Sequence, residues 1–137
     1  MLQGAPKSSM LKLQRVQNNL ARIVLQLPRR TQAQPLLYRL HWLPVELRIA
    51  YKTALITYKV RAQSANEYLL TLLQNRECTR TLWSSSLPLL EIPRFRTVTA
   101  SRSFRVAAPA IWNTLPRDVL TCSTVDSLKK HLKNISF

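Results

Sequence analysis

From Met10 to Leu27 the apolar residues Leu13, Val16, Leu20, Ile23, Val24 and Leu27 recur at steps of three, four, three, one and three, the spacing of one helical face. Pro28 ends the pattern. On the other side Lys12, Arg15, Asn19, Arg22 and Gln26 step by three, four, three and four, which stacks cations and amides into one stripe. Thr31 to Trp42 reads as a short helix beginning at Thr31 or Gln34. Pro35 falls in its first turn, where a missing N–H costs nothing, and Leu36, Leu37 and Leu40 form its buried side. A turn at Leu43-Pro44 opens a longer helix over Val45 to Gln63, on whose face Leu47, Ala50, Tyr51, Ala54, Leu55 and Tyr58 fall. Tyr51 and Tyr58 read as core residues with a wet hydroxyl rather than as platforms for stacked bases. Asn66 to Gln74 supplies the partner of a helix-turn-helix pair.

Near Arg76 the pattern changes. Thr79 to Thr99 has no helical period and is rich in Ser, Thr and Pro, so it is expected to be an extended segment or hairpin, held at a sheet edge by its prolines. In an extended chain Arg94 and Arg96 share a face opposite Phe95. Ser101 to Asn113 fits a helix with Phe104, Ala107, Ala108, Ile111 and Trp112 inward, kinked or restarted at Pro109. Ser123-Thr-Val-Asp126 resembles a capping box that opens the last helix, whose Val125, Leu128, Leu132 and Ile135 oppose Lys129, Lys130 and Lys133. The expected fold is mainly α. About four helices lie in residues 1–75, and an extended segment with one or two further helices lies in 76–137, the two parts forming one compact or semi-compact unit.

Charge sharpens the picture. The 137 residues hold 21 Lys and Arg against 6 Asp and Glu, a net charge of +15, which makes a polyanion the first partner to consider. Residues 1–30 carry Lys7, Lys12, Arg15, Arg22, Arg29 and Arg30 with no acid at all. A face that is merely solvated would be expected to alternate the two signs. The candidate phosphate contacts are therefore Lys12, Arg15, Arg22, Arg29 and Arg30, with Arg94, Arg96 and Arg102 as a second patch. No residue set with groove-entry geometry is recognisable, so binding is expected to tolerate any base sequence.

Other classes meet obstacles. The longest run free of ionisable acids and bases is the eleven residues from Val106 to Pro116, whereas a membrane span needs roughly 20 apolar residues. Met1 to Met10 lacks the apolar run of a secretory signal, and an intracellular site, nuclear or cytoplasmic, is expected. Cys78 and Cys122, with the isolated His41 and His131, give no metal-ligand spacing. Gly4 is the single glycine, which excludes glycine-rich phosphate loops and dinucleotide fingerprints. Glu46, Glu67, Glu77, Glu91, Asp118 and Asp126 are dispersed one at a time, so two-metal catalysis has no carboxylate pair to rest on. No catalytic residue, metal, cofactor or small-molecule ligand is expected. His41, in an apolar context, reads as a packed residue with a backbone partner.

Four ordered blocks carry a resemblance: Leu13-Gln-Arg-Val-Gln-Asn18; Leu40-His-Trp-Leu-Pro44 with Arg48-Ile-Ala-Tyr-Lys52 and Tyr58-Lys59; Ile92-Pro-Arg-Phe-Arg96; and Phe104-Arg-Val-Ala-Ala-Pro109 with Trp112-Asn-Thr-Leu-Pro116. From about Leu11 to Phe137 the chain resembles the carboxy-terminal region of LINE-type (non-LTR) retrotransposon reverse transcriptases. The resemblance implies a thumb-exit helix and the region beyond it, following a polymerase palm whose Tyr-x-Asp-Asp motif has no counterpart here. The chain departs from the family pattern at four places. Ala100 or Ser101 stands where glycine is usual, Arg105 where a small polar residue is, Trp83 for an arginine and Asn66 for a proline. The expected function is that of a non-catalytic fragment binding RNA or DNA backbone. The alternative is a structural module that docks on a polymerase core, or a decayed element remnant, without a ligand of its own.

Overall fold

A helix whose buried side is mixed in character needs partners on several sides, and the Val45–Gln63 helix has them. The computed structural model describes residues 3–63, 66–76 and 87–136. Among these it contains eight helices: α1 (Lys7–Val24), α2 (Ala33–Arg39), α3 (Val45–Gln63), α4 (Glu67–Thr71), α5 (Val98–Ser101), α6 (Phe104–Asn113), α7 (Arg117–Leu120) and α8 (Val125–Ser136). Helix α3 is the hub, touching α1, α4, α6 and α8. Its Thr53 and Thr57 are fully enclosed, because each hydroxyl donates back to the carbonyl one turn earlier, Ile49 at 3.0 Å and Thr53 at 2.9 Å. Tyr58 is a core residue as expected, but its hydroxyl donates to the Cys122 carbonyl at 3.1 Å.

Two apolar clusters result. The larger joins Ala54, Tyr58 and Val60 of α3 to Leu73, Leu90, Ala108, Trp112, Val119, Leu120, Leu128 and Leu132, and so draws on residues from both halves of the chain. The smaller unites Ala21 of α1 with Leu36 and Leu37 of α2, with Leu25, Leu27, Leu40 and Trp42 packed around them.

With one glycine in the chain, the left-handed closing turns fall to other residues. Gln26 and His41 both have φ of 52°. After α1 the N–H groups of Gln26 and Leu27 donate to Ile23 and Arg22, and after α2 those of His41 and Trp42 donate to Tyr38 and Leu37. Each turn satisfies two helix-end carbonyls at the expense of a strained backbone. His41 is thereby corrected: its backbone N–H is bonded, but its side chain is exposed rather than packed.

Among the described residues, the carboxy-terminal part holds four helical elements rather than one or two. Val98–Ser101, expected at the edge of the extended segment, is a single helical turn capped by Thr97, whose Oγ1 accepts from the Ala100 N–H at 3.2 Å. Right-handed geometry there needs no glycine at Ala100. Pro109 neither ends nor restarts α6, which runs from Phe104 through Asn113. The cap of α8 is Thr124 rather than Ser123: its hydroxyl accepts from Ser127 N–H at 3.2 Å. Asp126 lies in the first turn and pairs with Lys129 at 3.0 Å, and the bond and charge of Lys129 hold its carboxyl below the usual range. Asn66, in place of the proline typical of the resemblance, caps α4 by accepting from Leu69 N–H at 3.3 Å.

Leu87 to Arg96 is non-helical, as expected, but forms no regular strand. One antiparallel bridge joins Leu90 to Asn75, with Arg76 N–H on the Leu89 carbonyl at 3.0 Å and Glu91 N–H on the Gln74 carbonyl at 2.8 Å. Residues 77–86, including the rest of the expected hairpin, Glu77, Cys78 and Trp83, lie outside the described residues. Leu90 itself is held by a side chain: Asn113 Oδ1 accepts its N–H at 2.9 Å and Asn113 Nδ2 donates to its carbonyl at 2.8 Å. Next to it Trp112 Nε1 and Arg61 each donate to the Pro88 carbonyl at 3.0 Å, and Arg61 stacks over the Trp112 ring at 5.3 Å.

Asn113→Ala would leave two backbone groups of a buried residue unbonded. It is expected to cost about 2–3 kcal/mol, read as a lower midpoint in urea unfolding followed by circular dichroism. Gln26→Gly is expected to act in the other direction. Relief of the left-handed strain outweighs the added chain entropy, and the gain of about 0.5–1 kcal/mol should appear as a higher melting temperature.

Candidate nucleic-acid interface

The position of the basic stripe follows from how α1 docks. Its inward side is polar. Gln14 Oε1 accepts from the Val45 N–H at 2.9 Å, which caps the start of α3, and Gln17 Nε2 donates to the Leu43 carbonyl at 2.8 Å. Gln14 is itself steadied by a hydrogen bond that its Nε2 donates to Asn18 Oδ1 at 2.8 Å. Ala21, one to two turns on, is the one residue of α1 that is fully buried. Lys12 and Arg15 lie about 120–180° around the helix from Ala21, at about 100° per residue, and both are exposed.

Arg22 belongs to the same stripe by spacing, but its head is already engaged. Nε donates to the Thr31 carbonyl at 3.0 Å and a terminal nitrogen to Asn19 Oδ1 at 3.1 Å, with the side chain half-buried. The bond folds the Pro28 to Thr31 loop back on the last turn of α1. Arg29 and Arg30, both exposed, are therefore carried to the carboxy-terminal end of the stripe. Arg22 thus works as an organiser of the cationic surface.

Arg94 and Arg96 lie on the extended segment that leads into α5, and both are exposed, as is Phe95 between them. The aromatic ring is the residue that charge arithmetic missed. Phe95 is an exposed ring flanked by two exposed arginines, and the only signal for it in the sequence is the Arg-Phe-Arg triplet itself. Arg102, exposed at the end of α5, lays its aliphatic stem against Gly4, just before α1 begins. Gly4 has φ of +71°, and a Cβ there would collide with that stem. Arg102 is thereby packed against the segment that leads into α1.

Among the described residues, none of Lys12, Arg15, Arg29, Arg30, Arg94, Arg96 and Arg102 has a carboxylate within ion-pair distance. Nor, among those residues, do three of His, Cys, Asp and Glu converge in a group able to hold a metal ion. No helix among them is long and apolar enough to cross a membrane. Comparison of the chain with protein-family models, with curated proteins and with solved structures gives no match.

The two kinds of cation separate by mutation. Arg22→Ala is expected to lower stability by about 1 kcal/mol through the lost bond to Thr31. Lys12→Ala and Arg15→Ala should stay within about 0.5 kcal/mol of the parent in the same thermal melts.

Proposed function

We propose that this chain is a non-catalytic carboxy-terminal segment of the LINE-type reverse transcriptase lineage that grips RNA or DNA through its phosphate backbone. The observation that carries the reading is the set of exposed cations on α1, the loop after it and the Arg94–Arg102 stretch that have no carboxylate partner among the described residues. Burying a cation in a fold calls for a compensating acid, and a soluble surface ordinarily mixes signs. These cations are neither buried nor interleaved with acids along α1, and their charge is available to an external polyanion.

The reading gives each element a task. Lys12 and Arg15 contact successive phosphates along α1, Arg29 and Arg30 extend that track, and Arg94, Arg96 and Arg102 hold a second stretch of strand with Phe95 stacking on an unpaired base. Because no side-chain set is organised to read base edges, affinity depends on charge and not on sequence. The lineage rests on the four sequence blocks alone. Trp112-Asn113 of the last block clamps the chain at Pro88 and Leu90, close before Ile92-Pro-Arg-Phe-Arg96.

Titration of a fluorescein-labelled single-stranded RNA by fluorescence anisotropy at several salt concentrations tests this. With about six phosphates neutralised, log affinity should fall against log salt with a slope of roughly −4 to −5, the same for RNAs of unrelated sequence. The double variant K12E/R15E should flatten the slope by at least about 1. A slope near zero in the parent overturns the reading.

A further inference from the structure

An apolar helix face of the kind α1 carries ordinarily turns to the core, and here it does not. Leu13, Val16, Leu20, Ile23 and Val24 are between 40% and 70% exposed, because the glutamine side of the helix has taken the inward position. Beside this ridge runs an open groove of about 750 Å³ between α1 and the first half of α3. Leu13, Val16 and Leu20 form one wall, and Trp42, Ile49 and Tyr51 form floor and far wall. Its rim is cationic: Arg48 and Lys52 on α3 and Lys133 on α8, all exposed, with His41 at one end and no acid among the described residues that line it.

We propose that this groove docks an acidic amphipathic helix of a partner polypeptide. Three features select that occupant. The apolar ridge continues past the groove to Ile23 and Val24, about 15 Å along α1 from Leu13 at about 1.5 Å per residue, so the complement is elongated. A small enclosed lipid or metabolite would leave the outer part uncovered. The floor calls for apolar side chains at helical spacing, the usual manner of helix-in-groove recognition, while the rim calls for carboxylates on the flanks of the same helix. A second copy of this chain is disfavoured because each copy carries +15, and like charges would meet across the contact. This inference uses α1's apolar flank and the rim of α3, and stands apart from the phosphate reading.

The test uses a fluorescein-labelled helical peptide of about 18 residues built from Ala, Leu and Glu, with Leu at i, i+3, i+4 and i+7 and Glu on the flanks, and a scrambled peptide of identical composition. The patterned peptide should bind saturably, at least about tenfold more tightly than the scrambled one, which separates groove recognition from general attraction to a basic protein. V16D/L20D should weaken it by at least about tenfold and R48E/K52E by a similar factor. Val16 and Leu20 are half-exposed, so circular dichroism of V16D/L20D should match the parent. Equal binding of both peptides, or unchanged binding by the well-folded V16D/L20D variant, overturns the proposal. So does a dimer in sedimentation that V16D/L20D dissolves, or flotation on phosphatidylglycerol vesicles without peptide binding, since these give the groove to a second copy or to a lipid surface.

Discussion

A stretch of backbone that is neither helix nor sheet must find hydrogen-bond partners elsewhere before it can be buried, and Leu87 to Glu91 meets that requirement in a way on which the larger core depends. Leu90 is 1% exposed, so both of its main-chain groups must be bonded inside the protein. Asn113 supplies both bonds, in the manner of a neighbouring strand, and Trp112 and Arg61 converge on the Pro88 carbonyl. Arg61 is drawn far enough inward that burial lowers its pKa from the ordinary arginine value. Its charge is offset by the Pro88 carbonyl, by Asn75 Oδ1 at 3.3 Å and by the Trp112 face, with no carboxylate among the described residues paired to it. With the segment fixed, Leu90 enters the cluster of Trp112, Tyr58 and Leu128, and α6 and α8 close on α3.

The smaller cluster obeys a different constraint, the scarcity of glycine. Where chains usually reverse after a helix by placing glycine in the left-handed region, this one places Gln26 and His41 there. What secures both turns is the apolar residue that follows. Leu27 and Trp42 pack with Leu36, Leu37 and Ala21, so burial offsets strain of about 1–2 kcal/mol per turn. The same two turns bring the Arg22–Thr31 bond and the His41-Trp42-Leu43 wall of the groove into place.

Periodicity in the sequence carried the long helices: α1, α2, α3, α6 and α8 all lie where the apolar spacing puts them, with α1 displaced by about one turn toward its amino end. It did not carry the orientation of α1. Hydrophobic spacing identifies an apolar face, but the side that docks is set by which partner is bonded, and Gln14 and Gln17 cap and bind the Leu43 to Val45 turn in a way no pattern of apolar residues reveals. The extended segment was legible as non-helical and its fastening was not, because its partners are side chains on a helix more than twenty residues away. Of the candidate cations, all but Arg22 are exposed; Arg22 has its spacing written in the sequence and its bond to Thr31 written only in the turn.

The orientation of α1 has a chemical consequence. With the Ala21 side inward, about 100° per residue places Leu13 and Leu20 roughly 80–100° around in one direction, and Arg15 and Arg22 roughly 100–120° around in the other. The helix therefore presents an apolar flank toward α3 and a cationic flank away from it, and the two meet at the back of the helix near Lys12, Asn19 and Ile23. Had the apolar face turned inward, as its spacing invites, the cations would crown a fully packed helix and the groove would be filled. Docking by glutamines leaves both flanks free at once, so a polyanion and an acidic amphipathic partner would approach the same helix from different sides. Competition between them would then be confined to electrostatics across the back of α1, where Lys12 is the shared charge, and would weaken with salt as the Debye length shortens to about 8 Å at physiological ionic strength.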